Sequence, residues 1–173
     1  MSASEQGANA TQGRWIVIPR TLCFITNGDD VLLMKRAPHK RVFPNRYNGV
    51  GGHIERDEDP FTSAKREILE ETGLTVQQLQ LRAVYNIDAN EESGILLFLF
   101  TAVSASRDVI ANSEGTLHWI PISKVLQFDL VEDLPVILPR VLAMSDKDQP
   151  LFLHVGYDAD DCIQMRFADL SDG

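Results

Sequence analysis

The sequence predicts an α/β sandwich with a mixed central sheet, folded as a single domain. Three observations support this fold class. Runs of apolar and β-branched residues lie on both sides of one helix with clearly marked ends, a second helical pattern comes late in the chain, and no repeat or change of composition divides it. The chain has 173 residues, of which 44% are hydrophobic. A domain of this size buries about 70% of its unfolded surface without a disulfide or a structural metal.

The N-terminal part predicts a tail followed by two strands. Residues 1–13 are small and polar, so we expect a disordered tail there and the folded domain over residues 14–173. Strands are predicted over residues 15–26 and 31–35, joined by the turn pair Asn27-Gly28. A loop over residues 37–47 leads to a glycine-rich segment, where a ligand or a metal can approach the backbone closely.

A helix is predicted over residues 60–72. Asp59 is a typical N-cap, Pro60 suits the first turn, and Gly73 suits the position just after the last turn. The sequence therefore specifies both ends of this helix.

The C-terminal half predicts three further strands, a helix and a hairpin. The strands lie over residues 76–87, 95–103 and 116–121, and the second is almost continuously apolar, as in a strand buried on both faces. The helix is predicted over residues 133–144, bent or interrupted at Pro139. Strands over residues 151–155 and 162–167 flank a polar turn and form the hairpin. Cys23 and Cys162 lie in apolar runs and are predicted to be reduced core residues.

The charge of the chain restricts its partners. A net charge of −9 argues against binding to a nucleic-acid polymer, which needs a basic surface. No run of about 18 apolar residues and no signal-peptide pattern is present, so we expect a cytoplasmic protein with no membrane partner. A small phosphorylated ligand remains compatible with this charge. The sequence predicts no oligomeric state.

Three glutamates on the predicted helix indicate a metal site. Glu67, Glu70 and Glu71 stand at i, i+3 and i+4, so their carboxylates share one face near the helix C-terminus. Like charges repel at this spacing, and the helix dipole adds to the repulsion. A hard divalent cation relieves it, and Mg²⁺ fits because it takes few carboxylates and keeps positions for water and phosphate. The alternative is a solvated acidic face, which is common for charge runs.

The residues around these glutamates complete a longer pattern, G-x5-E-x7-R-E-U-x-E-E-x-G-U, in which U is a bulky aliphatic residue. Its nine fixed or restricted positions are occupied by Gly52, Glu58, Arg66, Glu67, Ile68, Glu70, Glu71, Gly73 and Leu74. In this pattern the sequence resembles the Nudix hydrolases. The resemblance implies a Nudix-type α/β/α sandwich and catalytic metals bound by the three helix glutamates. It also implies that Arg66 pairs with Glu58 to hold loop against helix, and that the Gly51 carbonyl is a further metal ligand.

Hydrolysis of a phosphoanhydride requires charge neutralisation on the polyphosphate and an activated water, and a divalent metal supplies both. Mg²⁺ is the expected cofactor, with Mn²⁺ as a possible substitute. Glu71 is the first candidate for the general base. Glu114 is the second, because MutT-type members of the family carry an acidic metal ligand at the matching place. The alternative for Glu114 is an exposed loop acid.

Basic residues are concentrated just before the motif. Within twelve residues the chain carries Lys35, Arg36, Lys40, Arg41 and Arg46. This concentration indicates a loop that attracts polyphosphate, and the alternative is a solvated loop. Lys35, Arg36 and Arg46 are the candidate phosphate contacts.

The segment over residues 47–52, Tyr-Asn-Gly-Val-Gly-Gly, resembles the oxidised-purine nucleoside triphosphatases of the family. That resemblance implies a contact between Asn48 and the base. Those enzymes also use a stacking Trp and an Asp-Asp pair before the second helix, where this sequence carries Val131, Asp133 and Leu134. One acid of the pair is kept, at Asp133. The expected reaction is the cleavage of a nucleoside triphosphate, such as 8-oxo-dGTP or another oxidised purine, to monophosphate and pyrophosphate.

Two other functions are weighed against this one. The first is hydrolysis of a nucleoside-diphosphate compound such as ADP-ribose or a nucleotide sugar, for which the sequence outside the motif shows no clear signature. The second is a nucleotide-sensing module without turnover. A sensing module predicts a damaged motif, whereas this motif is complete.

Overall fold

The computed structural model describes residues 3–7, 13–110 and 113–169. Within the predicted tail of residues 1–13, Ala3–Gln6 form a 3-10 helix, and residues 1–2 and 8–12 lie outside the described part. None of the helices in the described ranges is long and apolar enough to span a bilayer.

The described residues contain one mixed sheet of eight strands. The strands are β1 (Ile16–Asn27), β2 (Asp30–Arg36), β3 (Tyr47–Asn48), β4 (Gln77–Ile87), β5 (Ser93–Val103), β6 (Gly115–Pro121), β7 (Leu151–Tyr157) and β8 (Ile163–Phe167). Their order is β3-β2-β1-β5-β4-β7-β8, with β6 paired to β2. β1 and β5 run parallel, as do β4 and β7, whereas the other pairs are antiparallel. The predicted mixed sheet is confirmed.

Two helices cover opposite faces of this sheet, α1 (Pro60–Thr72) and α2 (Leu134–Leu142). The alternation of side chains along β1 shows the division. Leu22 and Phe24 belong to the core cluster that contains the buried side of α2. Cys23 and Ile25 belong to the cluster that contains the buried side of α1. The fold is therefore the α/β sandwich that the sequence predicts, in the α/β/α form that the resemblance implies.

The bounds of α1 agree with the sequence prediction. Asp59 accepts hydrogen bonds from the Phe61 and Thr62 backbone N–H groups, at 2.8 and 3.0 Å. Gly73 ends the helix in the left-handed region, at φ 74°, and its N–H donates to the Leu69 carbonyl at 2.8 Å. Both ends are thus fixed by residue types that the sequence displays.

Three sequence predictions need correction. α2 continues past Pro139 without interruption, because buried apolar side chains on both sides of the proline hold the helix against the sheet. Cys162 is exposed rather than in the core. It belongs to the hairpin turn, where its N–H donates to the Asp158 carboxylate at 3.0 Å. Finally, Tyr47–Asn48 forms the short strand β3, which pairs with β2, at the end of the predicted loop.

Candidate active site

The segment between β3 and α1 is held against the middle of β1. The Thr21 N–H donates to the Gly52 carbonyl at 2.8 Å, and the Cys23 N–H donates to the Val50 carbonyl at 2.7 Å. Gly51 has φ +147°, and a Cβ there would overlap the Thr21 carbonyl. A Cβ on Gly52 would lie 2.5 Å from the nearest Glu67 carboxylate oxygen. Glycine is required at position 51, because the backbone of β1 leaves no room for a Cβ there, whereas at position 52 the neighbour is the movable end of the Glu67 side chain.

Arg66 connects the loop to the helix. Its guanidinium binds both oxygens of Glu58, at 2.6 and 2.9 Å, and contacts Glu67 at 2.8 Å and Glu70 at 3.0 Å. It also donates to the His53 carbonyl at 3.2 Å. These hydrogen bonds from Arg66 lower the pKa of Glu58 to about 2. Arg66 therefore offsets much of the repulsion among the helix acids and fixes two of their carboxylates.

Glu71 has a different environment. Its carboxylate accepts a hydrogen bond from the Gly51 N–H at 2.9 Å. The pKa of Glu71 is raised to about 7. Burial contributes most to this rise, the Gly51 hydrogen bond opposes it, and the nearby charges of Glu67 and Glu114 add to it. A buried carboxylate surrounded by other carboxylates favours a bound cation or a proton.

Glu114 lies on the other side of the same cavity, just before β6. Its carboxylate pairs with the Lys40 ammonium at 2.6 Å, and its carbonyl accepts from the Ala37 N–H at 2.9 Å. The loop after β2 is therefore tied to the acidic end of the site.

The three helix glutamates and Glu114 line one cavity of about 890 Å³, whereas Glu58, Arg66 and Lys40 lie outside its lining. The residues that line its acidic end are Gly51, Gly52, Glu67, Glu70, Glu71 and Glu114. The residues that line its opposite end include Asn48, Tyr85, Leu97, Val131, Glu132, Asp133, Val155 and Tyr157. We call these the motif end and the distal end. The distal end combines apolar surface with a few polar groups, which is typical of a small-molecule site.

Two polar groups stand out at the distal end. Burial raises the pKa of the Asp133 carboxyl. The hydroxyl of Tyr85, whose side chain is fully buried, has no partner in hydrogen-bond geometry within the described residues, although the nearby Asp133 charge adds to the effect of burial in raising the Tyr85 pKa. Asn48 also lines this end, and its Oδ1 accepts from the Gly49 N–H at 2.8 Å. The Asn48 side-chain amide nitrogen can thus donate to a ligand.

The predicted substrate contacts separate into two groups. Arg36, Asn48 and Asp133 line the cavity. Lys35 is exposed and lies over the Tyr47 ring, with its ammonium 5.8 Å from the ring centroid. Arg46 pairs with Glu132 at 3.3 Å and lies outside the lining.

Sequence reasoning missed several cavity residues. Glu132 lines the cavity beside Asp133, whereas Leu134 is fully buried in the core. Three consecutive residues before α2, Val131, Glu132 and Asp133, therefore line the cavity. Arg20 and Tyr85 also line it. Both lie within strands whose apolar patterns predict only core packing, so the sequence offered no signal that would single them out.

The NUDIX domain family model matches residues 18–141 of the chain. This chain belongs to the Nudix family. Nucleoside triphosphatase NudI of Escherichia fergusonii is 31% identical to it over 128 residues, which cover 68% of this chain and 88% of that protein. NudI of Enterobacter sp. is 30% identical over 133 residues, covering 69% and 89%. This Nudix chain is therefore a hydrolase that acts on phosphoanhydride bonds.

Solved structures agree with the Nudix fold. The MutT protein from Bacillus halodurans superposes with a TM-score of 0.75 at 25% identity, over 87% of this chain and 97% of that one. The NUDIX domain of Shewanella oneidensis NrtR, solved with ADP ribose, has a TM-score of 0.65 at 18% identity, over 82% and 97%. At 18% identity the second likeness concerns the fold alone.

The donor set of this Nudix site suits a hard divalent cation. Its groups are carboxylate and carbonyl oxygens, and one of the carboxylates, Glu71, is largely buried among like charges. Within the described ranges, no three acidic, histidine or cysteine side chains are already grouped at coordinating positions. Arg66 holds Glu67 and Glu70 in the arrangement seen here.

Proposed function

We propose that this Nudix hydrolase cleaves a nucleoside triphosphate to monophosphate and pyrophosphate with Mg²⁺ as cofactor, and that 8-oxo-dGTP or another oxidised purine nucleotide is a candidate substrate. The observation that carries the proposal is a single cavity in which an acidic motif end faces a largely apolar distal end with polar groups for a base. The nucleoside triphosphatase relatives support the substrate class.

At the motif end, the groups proposed to hold the metal are the Gly51 carbonyl and the carboxylates of Glu67, Glu70, Glu71 and Glu114. Mg²⁺, or Mn²⁺ in its place, would neutralise the polyphosphate and lower the pKa of a water. Arg66 acts as a positioning residue, because it fixes the loop through Glu58 and fixes two helix carboxylates directly. Glu71 is the proposed general base, since its largely buried carboxylate lies between the glycine-rich segment and the other acids of the motif end, held by the Gly51 N–H at 2.9 Å.

At the distal end, Asn48 and Asp133 are the proposed base contacts. Asn48 can donate from its amide nitrogen, because its oxygen is engaged by the Gly49 N–H. Asp133 supplies a largely buried carboxyl that can accept hydrogen bonds from a base, and burial raises its pKa. Glu132 adds a second acid beside it, in the pair with Arg46. These groups give the distal end the means to distinguish bases by their edges.

Product analysis tests the proposal. The protein is incubated with Mg²⁺ and 8-oxo-dGTP, dGTP, the other triphosphates or ADP-ribose, and monophosphate, pyrophosphate and orthophosphate are resolved. We expect triphosphate turnover with pyrophosphate released, and preference for 8-oxo-dGTP would identify an oxidised purine as the substrate. Turnover of ADP-ribose without turnover of any triphosphate would contradict the proposal. Nucleotide binding without any product would show a sensing module.

A further inference from the structure

Arg20 extends from β1 into the cavity. It lies two residues before Leu22, on the same face of the strand, and it pairs with Leu97 on the neighbouring strand β5. All three residues line the cavity. Arg20 is half-buried, and its Nε is buried without a hydrogen-bond partner in the described part of the chain. A buried guanidinium N–H that lacks a partner is costly, so the position requires an explanation.

The charge of Arg20 is also unbalanced. Four other arginines, Arg46, Arg66, Arg82 and Arg107, form ion pairs with acidic side chains. Arg20 forms none with any residue that the structure describes. Burial lowers the pKa of Arg20, and the positive charge of Arg36 lowers it further. In a chain with a net charge of −9, two cations are thus kept close together inside one cavity.

Arg36 connects this positive region to the motif end. Its Nε donates to the Val42 carbonyl at 2.8 Å, which restrains the guanidinium. Its charge also acts on Glu71, where it opposes the rise in pKa. Arg20 borders the motif end as well, since it forms a β-bridge with His53 and precedes Thr21, which binds the Gly52 carbonyl. The two arginines therefore lie where a ligand would pass from the motif end to the distal end.

We propose that Arg20 is a substrate-binding residue that, together with Arg36, binds phosphate oxygens of the nucleoside polyphosphate. This inference rests on the proposed function, because it assumes that a polyphosphate occupies the cavity. A phosphate oxygen would satisfy the buried Nε, and a polyanion would relieve the repulsion between the two guanidinium groups. The planar fork of arginine matches phosphate oxygens in geometry and charge.

A base edge explains the site less well. The acceptors on a base are neutral, so they would satisfy the Nε hydrogen bond but leave the repulsion between Arg20 and Arg36 in place. The distal end already supplies polar groups for a base in Asn48 and Asp133. The two alternatives differ in one measurable respect. If Arg20 contacts phosphate, its replacement should weaken the binding of phosphate-containing ligands only. If Arg20 contacts the base, its replacement should also weaken the binding of the nucleoside.

The experiment measures the binding of inorganic tripolyphosphate in EDTA by calorimetry, and the binding of deoxyguanosine by the same method. The variants are Arg20→Gln, Arg20→Lys and the control Arg107→Gln, which makes the same charge change at an arginine outside the cavity, paired with Asp30 at 2.7 Å. Arg20→Gln should weaken tripolyphosphate binding about 10- to 100-fold. Arg20→Lys should weaken it about 5-fold, because lysine keeps the charge but lacks the fork. Arg107→Gln should bind as the wild type does, and deoxyguanosine binding should be unchanged in all variants.

Two outcomes would overturn the inference. One is wild-type affinity for tripolyphosphate in folded Arg20→Gln, or in folded Arg20→Lys if the glutamine variant does not fold. The other is an equal loss of deoxyguanosine binding, which would assign Arg20 to the base. Hydrolysis by the wild type separates this inference from the proposed function. If the wild type hydrolyses triphosphates and the Arg20 variants bind tripolyphosphate as tightly as the wild type does, only the inference about Arg20 is refuted. If the variants bind tripolyphosphate more weakly but the wild type hydrolyses no triphosphate, only the proposed function is refuted.

Discussion

The motif end and the distal end of the cavity are built in different ways. Most of the motif end comes from one continuous segment, in which Gly51 contacts Glu71 and Arg66 contacts Glu58, all within about twenty residues of sequence, and Glu114 joins it from the loop before β6. The distal end is assembled from β3, β4, β5, the segment before α2 and β7, and its Tyr85 hydroxyl lies beside the Asp133 carboxyl. Hydrogen bonds between residues close in sequence thus position the acidic groups of the motif end, whereas packing of distant strands forms the ligand-facing surface of the distal end. The distal end can change its specificity without disturbing the catalytic groups.

The two ends also differ in how they hold a buried acid. Burial raises the pKa of both Glu71 and Asp133. Glu71 has two other carboxylates, Glu67 and Glu114, among the charges that raise its pKa. Asp133 has Tyr85 beside it, whose hydroxyl favours the ionised form. We therefore expect the first acid to respond to cations and the second to respond to the hydrogen-bonding groups of a base.

The largest effect is expected from Glu71→Gln at the motif end. It removes a proposed metal ligand and the proposed base while preserving shape, so kcat should fall by more than about 100-fold, beyond the 10- to 100-fold typical of outer-shell residues. The matched control is Glu132→Gln, the same change at the distal end, which should leave kcat within a few-fold. Steady-state kinetics with Mg²⁺ check both variants. A Glu71→Gln enzyme within tenfold of the wild-type kcat would contradict the assignment.

The stability of the metal-free protein should depend on Glu71 through pH. Its folded pKa of about 7 lies above the ordinary value of 4.5, so between these pH values the native state holds more protons than the unfolded state. Stability should therefore fall as pH rises through this window, by on the order of 3 kcal/mol. This corresponds to a melting temperature lower by about 5–10 °C for a domain of this size. Thermal melts in EDTA at pH 5 to 8 measure the effect.

Mg²⁺ should reverse this loss at pH 8, because a cation stabilises the ionised form of Glu71. Glu71→Gln should make the pH slope shallower, leaving the contribution of Asp133, whose pKa is also raised, and Glu70→Gln should weaken the response to Mg²⁺. A melting temperature that ignores Mg²⁺ in the wild type and in Glu70→Gln would show that our account of the acidic face is wrong.

Arg66→Lys should reduce kcat about 10- to 100-fold, since lysine cannot bind both oxygens of Glu58 while contacting Glu67 and Glu70. The control is Arg82→Lys. Arg82 is buried outside the cavity and donates to Thr101 at 2.8 Å and to the Ser145 carbonyl at 2.7 Å. Its replacement should lower the melting temperature and leave kcat unchanged. If Arg66→Lys also changed only stability, Arg66 would be a structural residue without a positioning role.

The same division explains what the sequence could predict. Asp59, Pro60 and Gly73 specify the ends of α1 by local rules, and the structure reproduces those ends. The motif residues form their contacts because loop and helix are adjacent in sequence. Arg20 and Tyr85 reach the cavity through the pairing of distant strands, which no local pattern encodes.

Position 134 shows a further limit of prediction from the sequence. Counting along the sequence pairs Asp133 with Leu134, whereas the start of α2 turns Leu134 into the core and leaves Glu132 at the cavity. Cys162 shows the limit at the other end of the chain, since apolar residues follow it closely while the turn keeps it exposed. A shift of one residue at a helix start or a turn reverses the direction of a side chain, and its cause is tertiary packing.

The smallest effect, and the one that tests the separation of the two ends, is expected from Asp133→Asn. The amide keeps the shape of the carboxyl but cannot ionise, so hydrogen bonds that depend on its acid group are lost. We expect kcat/KM for the preferred nucleotide to fall about tenfold, the value of one such hydrogen bond, with an altered order of preference among bases. Asp129→Asn is the control, because Asp129 is exposed and lies outside the cavity.

In Asp133→Asn, the increase in melting temperature on adding Mg²⁺ should equal that of the wild type, because no proposed metal ligand is changed. Unchanged base preference would remove Asp133 from substrate recognition. A lost response to Mg²⁺ would carry a different meaning. It would show that the buried acid at the distal end is coupled to the carboxylates of the motif end, so that specificity and chemistry in this cavity are not built independently.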